Sequence, residues 1–328
     1  MSKLFSTFSV RDLKLRNRIV MPPMANNHAT ELGEVTDFLV EHYRRRAGSV
    51  GLIIVEHSYV ARGGHINRNQ LGIYDDRLIP GLTRLVRAIH ESGGVTCIQI
   101  THGGSAAASS VTGETPVAPS PVPHPAGGET PRELSQAELE EFIRAFGQAA
   151  RRAKEAGFDA VEVHGAHGYL LNQFYSPLTN RRTDAFGGSR EARLAFPLAV
   201  VREVRRVVGP DYPVFYRLGA DDRLPGGLAV DDAVWAAPRL AAAGVDLVDV
   251  SGGFAGSRPP DLQGQGYYAY LSEPVKRVSQ APVLVTGGIT EPAAAEALLA
   301  EGKADLVGVG RALLADPDWA VKAKEVLG

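Results

Sequence analysis

Cysteine is almost absent from this chain: of its 328 residues only Cys97 is one. That excludes a disulfide framework, a CxxC redox pair and a cysteine-held iron–sulfur cluster, and the run Val95-Thr96-Cys97-Ile98 makes Cys97 a filler of apolar core. A reducing, cytoplasmic compartment fits such usage. Charge of one sign is missing as well. The net charge is −2 with a pI near 6.5 and the charges are interspersed, so no basic face is offered to nucleic acid or anionic lipid. No apolar run approaches the roughly 20 residues that span a bilayer. The first twenty residues carry Lys3, Arg11, Asp12, Lys14, Arg16 and Arg18 where a signal peptide would have an apolar core, so neither membrane insertion nor secretion is expected. A small molecule is the partner that remains.

One further absence bears on the fold. After the first strand, Arg18-Ile19-Val20-Met21, a doubly wound sheet would carry a Gly-x-Gly-x-x-Gly turn, and here the chain reads Pro22-Pro23-Met24. Proline has no N–H to give a ladder, so the strand ends there and presents backbone to whatever lies above.

What is present is a regular alternation of short β-branched runs with stretches of helical periodicity. Strands are expected at 51–57, 95–101, 160–163, 213–218, 247–250, 283–285 and 306–309 after the first. Helices are expected between them, among others at 36–47, 78–92, 135–156, 191–208 and 230–243, with a last one at 317–327. Eight strands each followed by a helix predict an α/β chain of the (β/α)8 TIM-barrel class, with one domain over residues 1–328. Its longest interruption is a Pro-rich excursion at about 105–134, with six prolines, read as a semi-rigid cover over the barrel mouth. The third strand ends in His102-Gly103-Gly104, a glycine pair that suggests close approach of backbone to a ligand.

The densest chemistry stands at the end of the fourth strand, where His164, His167 and Tyr169 fall within six residues. In a barrel, titratable groups at a strand's C-terminal end are where catalysis resides. A strand stopping at His164 and turning through Gly165-Ala166 can aim both imidazoles into one pocket. Two neutral imidazoles can donate to a developing oxyanion and a phenol can supply a proton to carbon, which suits reduction of a polarised double bond. Two plainer readings compete: turn histidines bonded to backbone, or half of a metal site.

Two loops are suited to phosphate. Thr286-Gly287-Gly288-Ile289 follows strand seven and Gly308-Val309-Gly310-Arg311 follows strand eight, the places where barrels bind phosphate through backbone amides, and Arg311 adds a fixed positive charge. Gln99 could meet the edge of a pyrimidine-like ring, and Arg217 could place a cation beside it. Against these stand a barrel-interior amide for Gln99 and a buried salt bridge with an acid such as Asp249 for Arg217.

The segments NRIVMPPM at 17–24, GLIIVEH at 51–57, the Gln99 strand, HGAHGYLLNQFYSPLTNRRTDAFGGS at 164–189 and GVGRALLADP at 308–317 together resemble the Old Yellow Enzyme family of FMN-dependent ene-reductases, in order and over nearly the whole chain. The resemblance implies that Pro23, Met24 and Ala25 contact FMN through backbone with His57 beside them. It implies that Gln99 and Arg217 bind the isoalloxazine, and that Gly287, Gly288, Gly310 and Arg311 hold the phosphate. His164 and His167 would grip a carbonyl or nitro oxygen, and Tyr169 would be the proton donor, with no metal. The implied reaction uses NADPH or NADH to reduce FMN, after which flavin N5 passes hydride to an electron-poor alkene and Tyr169 or water protonates the other carbon.

The chain departs from many relatives in having Ala25 where they place Cys or Thr, a bulky His57 where they have a small residue, and Asn26 and Asn27 where some have an aromatic near the substrate. The likeness is to compact, single-domain members, and both a single chain and a homo-oligomer stay open. A metal-dependent barrel hydrolase using His164 and His167 is a rival, although its usual His-x-His on the first strand is lacking. A flavin-binding protein without catalysis is the other.

Overall fold

A computed structural model describes residues 2–328. The strands are, in chain order, β1 (Phe8–Val10), β2 (Leu13–Leu15), β3 (Ile19–Met21), β4 (Leu52–Tyr59), β5 (Thr96–Thr101), β6 (Val117–Ala118), β7 (Arg132–Glu133), β8 (Ala160–Gly165), β9 (Val214–Gly219), β10 (Leu247–Ser251), β11 (Val283–Val285) and β12 (Leu306–Gly308). Eight of them, β3, β4, β5 and β8 through β12, pair in parallel and close into a barrel, with β12 returning to β3. Helices cover its outside, giving the expected (β/α)8 architecture.

Local chemistry explains where the helices begin and end. Thr36 caps the helix Asp37–Ala47 by accepting from the Leu39 N–H. Ser135 and Glu138 form a reciprocal capping box at the head of Gln136–Ala156, and Gly157 ends that helix with φ 96°. The last helix begins at Trp319 rather than at Pro317, because the Asp316 carboxylate accepts from the Asp318 N–H and holds a turn there.

Side chains alternate across each strand, and the inward positions form two layers. The lower layer is apolar: Val20, Leu52, Ile54, Cys97, Ala160, Phe215, Leu247, Leu284 and Leu306 pack into one buried cluster. Val10 and Leu15 of the β1–β2 hairpin join the same cluster and close the N-terminal end of the barrel. This hairpin was not among the expected strands. Three-residue strands show no period, and its turn uses Arg11 at φ 51°, without the glycine that usually marks one.

The upper layer, two residues further along the strands, is polar. Gln99, Glu162, Arg217 and Asp249 occupy it and all are buried. Above it the segment 105–134 departs and returns, held where Val117–Ala118 pairs with Arg132–Glu133. His124 of this segment stacks edge-on against Phe254, and its ring leaves no room for a side chain at Gly168. Gly103 and Gly104 fall elsewhere than expected. A Cβ on Gly104 would meet Gln173 Oε1 at 2.3 Å and one on Gly103 would meet Ile66, so the pair allows close packing of protein on protein and not of a ligand. Among the described residues no helix is long and apolar enough to cross a membrane.

Candidate active site

A cavity of about 330 Å³ opens at the C-terminal ends of the strands. Pro23, Met24 and Ala25, after β3, form part of its wall, with His57 of β4 and Arg217 of β9. His167 and Tyr169 enter from the turn after β8. Gly287 and Gly288, after β11, and Gly310 and Arg311, after β12, complete the far end. Gln99 and His164 stand behind this wall, each almost fully buried.

The turn after β8 is set by hydrogen bonds. The strand continues through His164 to Gly165, further than expected, and His164 Nδ1 then accepts from the Ala166 N–H at 3.2 Å. A neutral ring accepting at Nδ1 carries its hydrogen on Nε2, so His164 is a donor on its other side. His167 adopts φ 59°, a left-handed conformation that costs a non-glycine residue about 1–3 kcal/mol. It is held there by its N–H donating to the Gly252 carbonyl at 3.1 Å and by Nε2 lying 2.7 Å from Ser251 Oγ. Tyr169 sits at the head of the short helix Leu170–Tyr175. The rings of His164 and His167 are 5.0 Å apart, and Tyr169 is 5.0 Å from His164 and 6.3 Å from His167.

Burial pushes both histidines well below their ordinary range, and the positive charge of Arg217 pushes the same way. Burial raises the Tyr169 phenol, with Arg217 opposing. At neutral pH the turn therefore presents two uncharged imidazoles and a protonated phenol.

Beneath them lies a charge cluster. Gln99 Nε2 donates to Glu162 Oε1 at 2.8 Å. Arg217 Nε stands 3.2 Å from Asp249 Oδ2, an ion pair whose angle makes no hydrogen bond, and Nη2 donates to Ser251 Oγ at 3.5 Å. The salt bridge weighed against a ligand role for Arg217 is thus present, and the same guanidinium also faces the cavity. Glu162 Oε2 and both Asp249 oxygens have no hydrogen-bond partner among the described residues. Burial, aggravated for Glu162 by Asp249, pushes the Glu162 carboxyl far up, and burial against the pull of Arg217 brings Asp249 up to about 6.

Residues 3–328 match the family model described as NADH:flavin oxidoreductase / NADH oxidase. The chain belongs to that family, the Old Yellow Enzymes. It is 46% identical to an NADH oxidase of Thermoanaerobacter brockii over 98% of this chain and 50% of that protein. To an NADPH dehydrogenase of Geobacillus sp. (strain WCH70) it is 44% identical, over 99% of this chain and 94% of the relative. The chain thus spans about half the length of the first relative and nearly all of the second. The solved structure of morphinone reductase superposes with a TM-score of 0.88 at 30% identity, covering 99% of this chain and 90% of that one. The family is described by its use of NADH and flavin.

The residues present fit FMN on physical grounds. Arg217 has five N–H donors and uses few of them on protein, so its guanidinium can take acceptors from a ring edge. Gly287 and Gly288, at φ 126° and 67°, line the cavity in a left-handed backbone that packs a Cβ-free surface against Tyr267. Arg311 makes no ion pair among the described residues. The cavity and its supports also include residues that sequence reading does not reach. Tyr267, Arg258 and Thr286 line the cavity, Ser251 holds His167, Glu162 holds Gln99, and Gln70 holds His57. Of these only Thr286 had a signal, its place beside Gly287. Among the described residues no group of three or more His, Cys, Asp or Glu side chains is placed to hold a metal.

Proposed function

We propose that this chain reduces the C=C bond of electron-poor alkenes, α,β-unsaturated carbonyl or nitro compounds, with NADPH or NADH as reductant. The observation that carries the reading is the pair of uncharged imidazoles 5.0 Å apart beside a protonated phenol, with His167 and Tyr169 on the cavity wall that Arg217 shares and His164 directly behind them. When bound, FMN supplies a two-electron relay that takes hydride from the nicotinamide and gives hydride to the alkene.

Pro23, Met24, Ala25 and His57 would flank the flavin ring, Gln99 and Arg217 would meet its polar edge, and Gly287, Gly288, Gly310 and Arg311 would hold the phosphate. Arg217 is suited to negative charge gathering there, being buried with an acid that holds it in place. His164, with its hydrogen on Nε2, and His167 would grip the substrate oxygen and draw electron density from the double bond. Donors fixed in place before reaction are worth more than water, because nothing must reorient as charge develops. Tyr169 would deliver the proton to the second carbon, as its raised pKa keeps it a phenol.

The test is the double variant His164→Ala with His167→Ala. It should keep FMN, seen as an unshifted flavin spectrum, while affinity for an enone or phenol falls by about tenfold or more, the worth of two lost hydrogen bonds. Unaltered titration of the flavin spectrum by these ligands would refute the grip.

A further inference from the structure

Beside His164 and His167 the site holds a third imidazole, which lines the cavity and which reduction of a simple enone does not need. β4 pairs with β5 in register as far as Val55, opposite Ile98, and resumes at Ser58, opposite Ile100, so the shift falls on Glu56 and His57. A bulge re-aims the side chains it contains. His57 lines the cavity, with its ring 5.8 Å from Tyr169 and 6.4 Å from His164. It therefore stands between the groups assigned to the flavin ring, of which it is one, and those assigned to the substrate.

Gln70 decides which nitrogen of that ring holds the hydrogen. Gln70 Oε1 accepts from the Ile66 N–H at 2.7 Å and its Nε2 donates to the His57 carbonyl at 3.1 Å, so the amide is held one way round. The same Nε2 lies 2.7 Å from His57 Nδ1, which must then be the acceptor. A neutral imidazole accepting at Nδ1 carries its hydrogen on Nε2. Burial, reinforced by the positive charge of Arg217, lowers the ring to about 4, so it is neutral at ordinary pH. With Nδ1 committed to Gln70, the Nε2–H is the donor left for the cavity.

We propose that His57 is a specificity-determining residue whose Nε2–H binds a second acceptor oxygen, so that alkenes flanked by two carbonyls, such as cyclic ene-diones, are favoured over simple enones. The inference rests on the alkene-reductase reading and deepens it. One carbonyl goes to His164 and His167, and the other, conjugated with the same double bond, goes to His57. The electron balance is that of the parent reaction: one alkene carbon gains hydride, the other gains a proton, and NAD(P)H is oxidised to NAD(P)⁺.

The holoenzyme and its variants His57→Phe and His57→Gln test this with two matched pairs. Cyclopent-4-ene-1,3-dione and cyclopent-2-enone differ by one carbonyl, and the ratio of their kcat/KM values cancels general damage to the site. N-methylsuccinimide and N-methylpyrrolidinone differ likewise, have no C=C bond to reduce, and give a ratio of dissociation constants by calorimetry. Both ratios should fall by roughly three- to tenfold in His57→Phe, which keeps bulk without a donor. His57→Gln, whose amide nitrogen reaches about as far as Nε2, should retain them. Ratios unchanged in both variants, or lost equally in both, would overturn the donor role. If the wild type turns over both alkenes with ratios indifferent to residue 57, the donor fails and the reductase reading stands. If it discriminates the imide through His57 yet reduces neither alkene, the donor stands and the reductase reading fails.

Discussion

Ala160 and Glu162 lie two residues apart on one barrel strand, as do Phe215 and Arg217 on the next and Leu247 and Asp249 on the one after. Each pair spans about 6–7 Å of strand. The lower members belong to the closed apolar cluster sealed by Val10 and Leu15. The upper members are buried as completely but carry charge, and several of their polar atoms lack partners. Burial of a large aliphatic or aromatic side chain stabilises by roughly 1.5–3 kcal/mol, whereas an incompletely paired buried charge costs stability. The barrel thus separates an apolar layer that holds the fold from a polar layer beneath the proposed site along the length of a single strand.

Phe215→Ala should separate the layers most sharply. It opens a cavity in the lower layer and should cost about 3–5 kcal/mol, read from thermal or denaturant unfolding, with the flavin spectrum of the folded fraction unshifted. An altered spectrum at native temperature would show that the layers are not independent.

Glu56, in the β4 bulge beside His57, tests the cost of burying a carboxyl near that layer. Burial, partly offset by backbone N–H donors from Asn26 and Asn27, pushes its carboxyl from 4.5 up to about 7. The fold therefore disfavours its ionised form, so the contribution of Glu56 to stability is fullest below pH 4.5 and is lost as pH rises through 7. Glu56→Gln should remove a part of that decline on the order of 3 kcal/mol. The same slope in both proteins would mean that Glu56 does not titrate in this window.

Tyr169→Phe should leave stability and FMN binding as they are and slow alkene reduction by about 10²-fold for substrates that need a protein proton donor. Unchanged turnover would identify water as the acid. The smallest effect is a null one. His57 lies near 4 and His164 and His167 are pushed well down by burial, so affinity for a neutral enone should stay within about twofold from pH 5.5 to 8. A step near 6.5 would show that one of the three, or Asp249 behind Arg217, changes charge against the ligand.

The two layers were not equally legible beforehand. The barrel follows from periodicity and from turn chemistry such as Ser135, Glu138 and Gly157, because those signals are local. The cluster His164, His167 and Tyr169 is legible for the same reason. Contacts between strands are not local. That Gln99 meets Glu162 depends on β5 lying beside β8, and that Gln70 fixes His57 depends on a loop with no period to mark it. Arg217 shows the limit most clearly: in the sequence a salt bridge to Asp249 and a face on the cavity are alternatives, and the register of β9 against β10 provides both.

The most direct measurement is the visible spectrum of the purified protein under anaerobic conditions, before and after NADPH or NADH and again after cyclohexenone. Flavin absorbance that bleaches with the nicotinamide and returns with the enone is the expected result. A colourless protein that cannot be reconstituted with FMN, or a bleached flavin that the enone leaves unchanged, would contradict an alkene reductase built on the upper layer of this barrel.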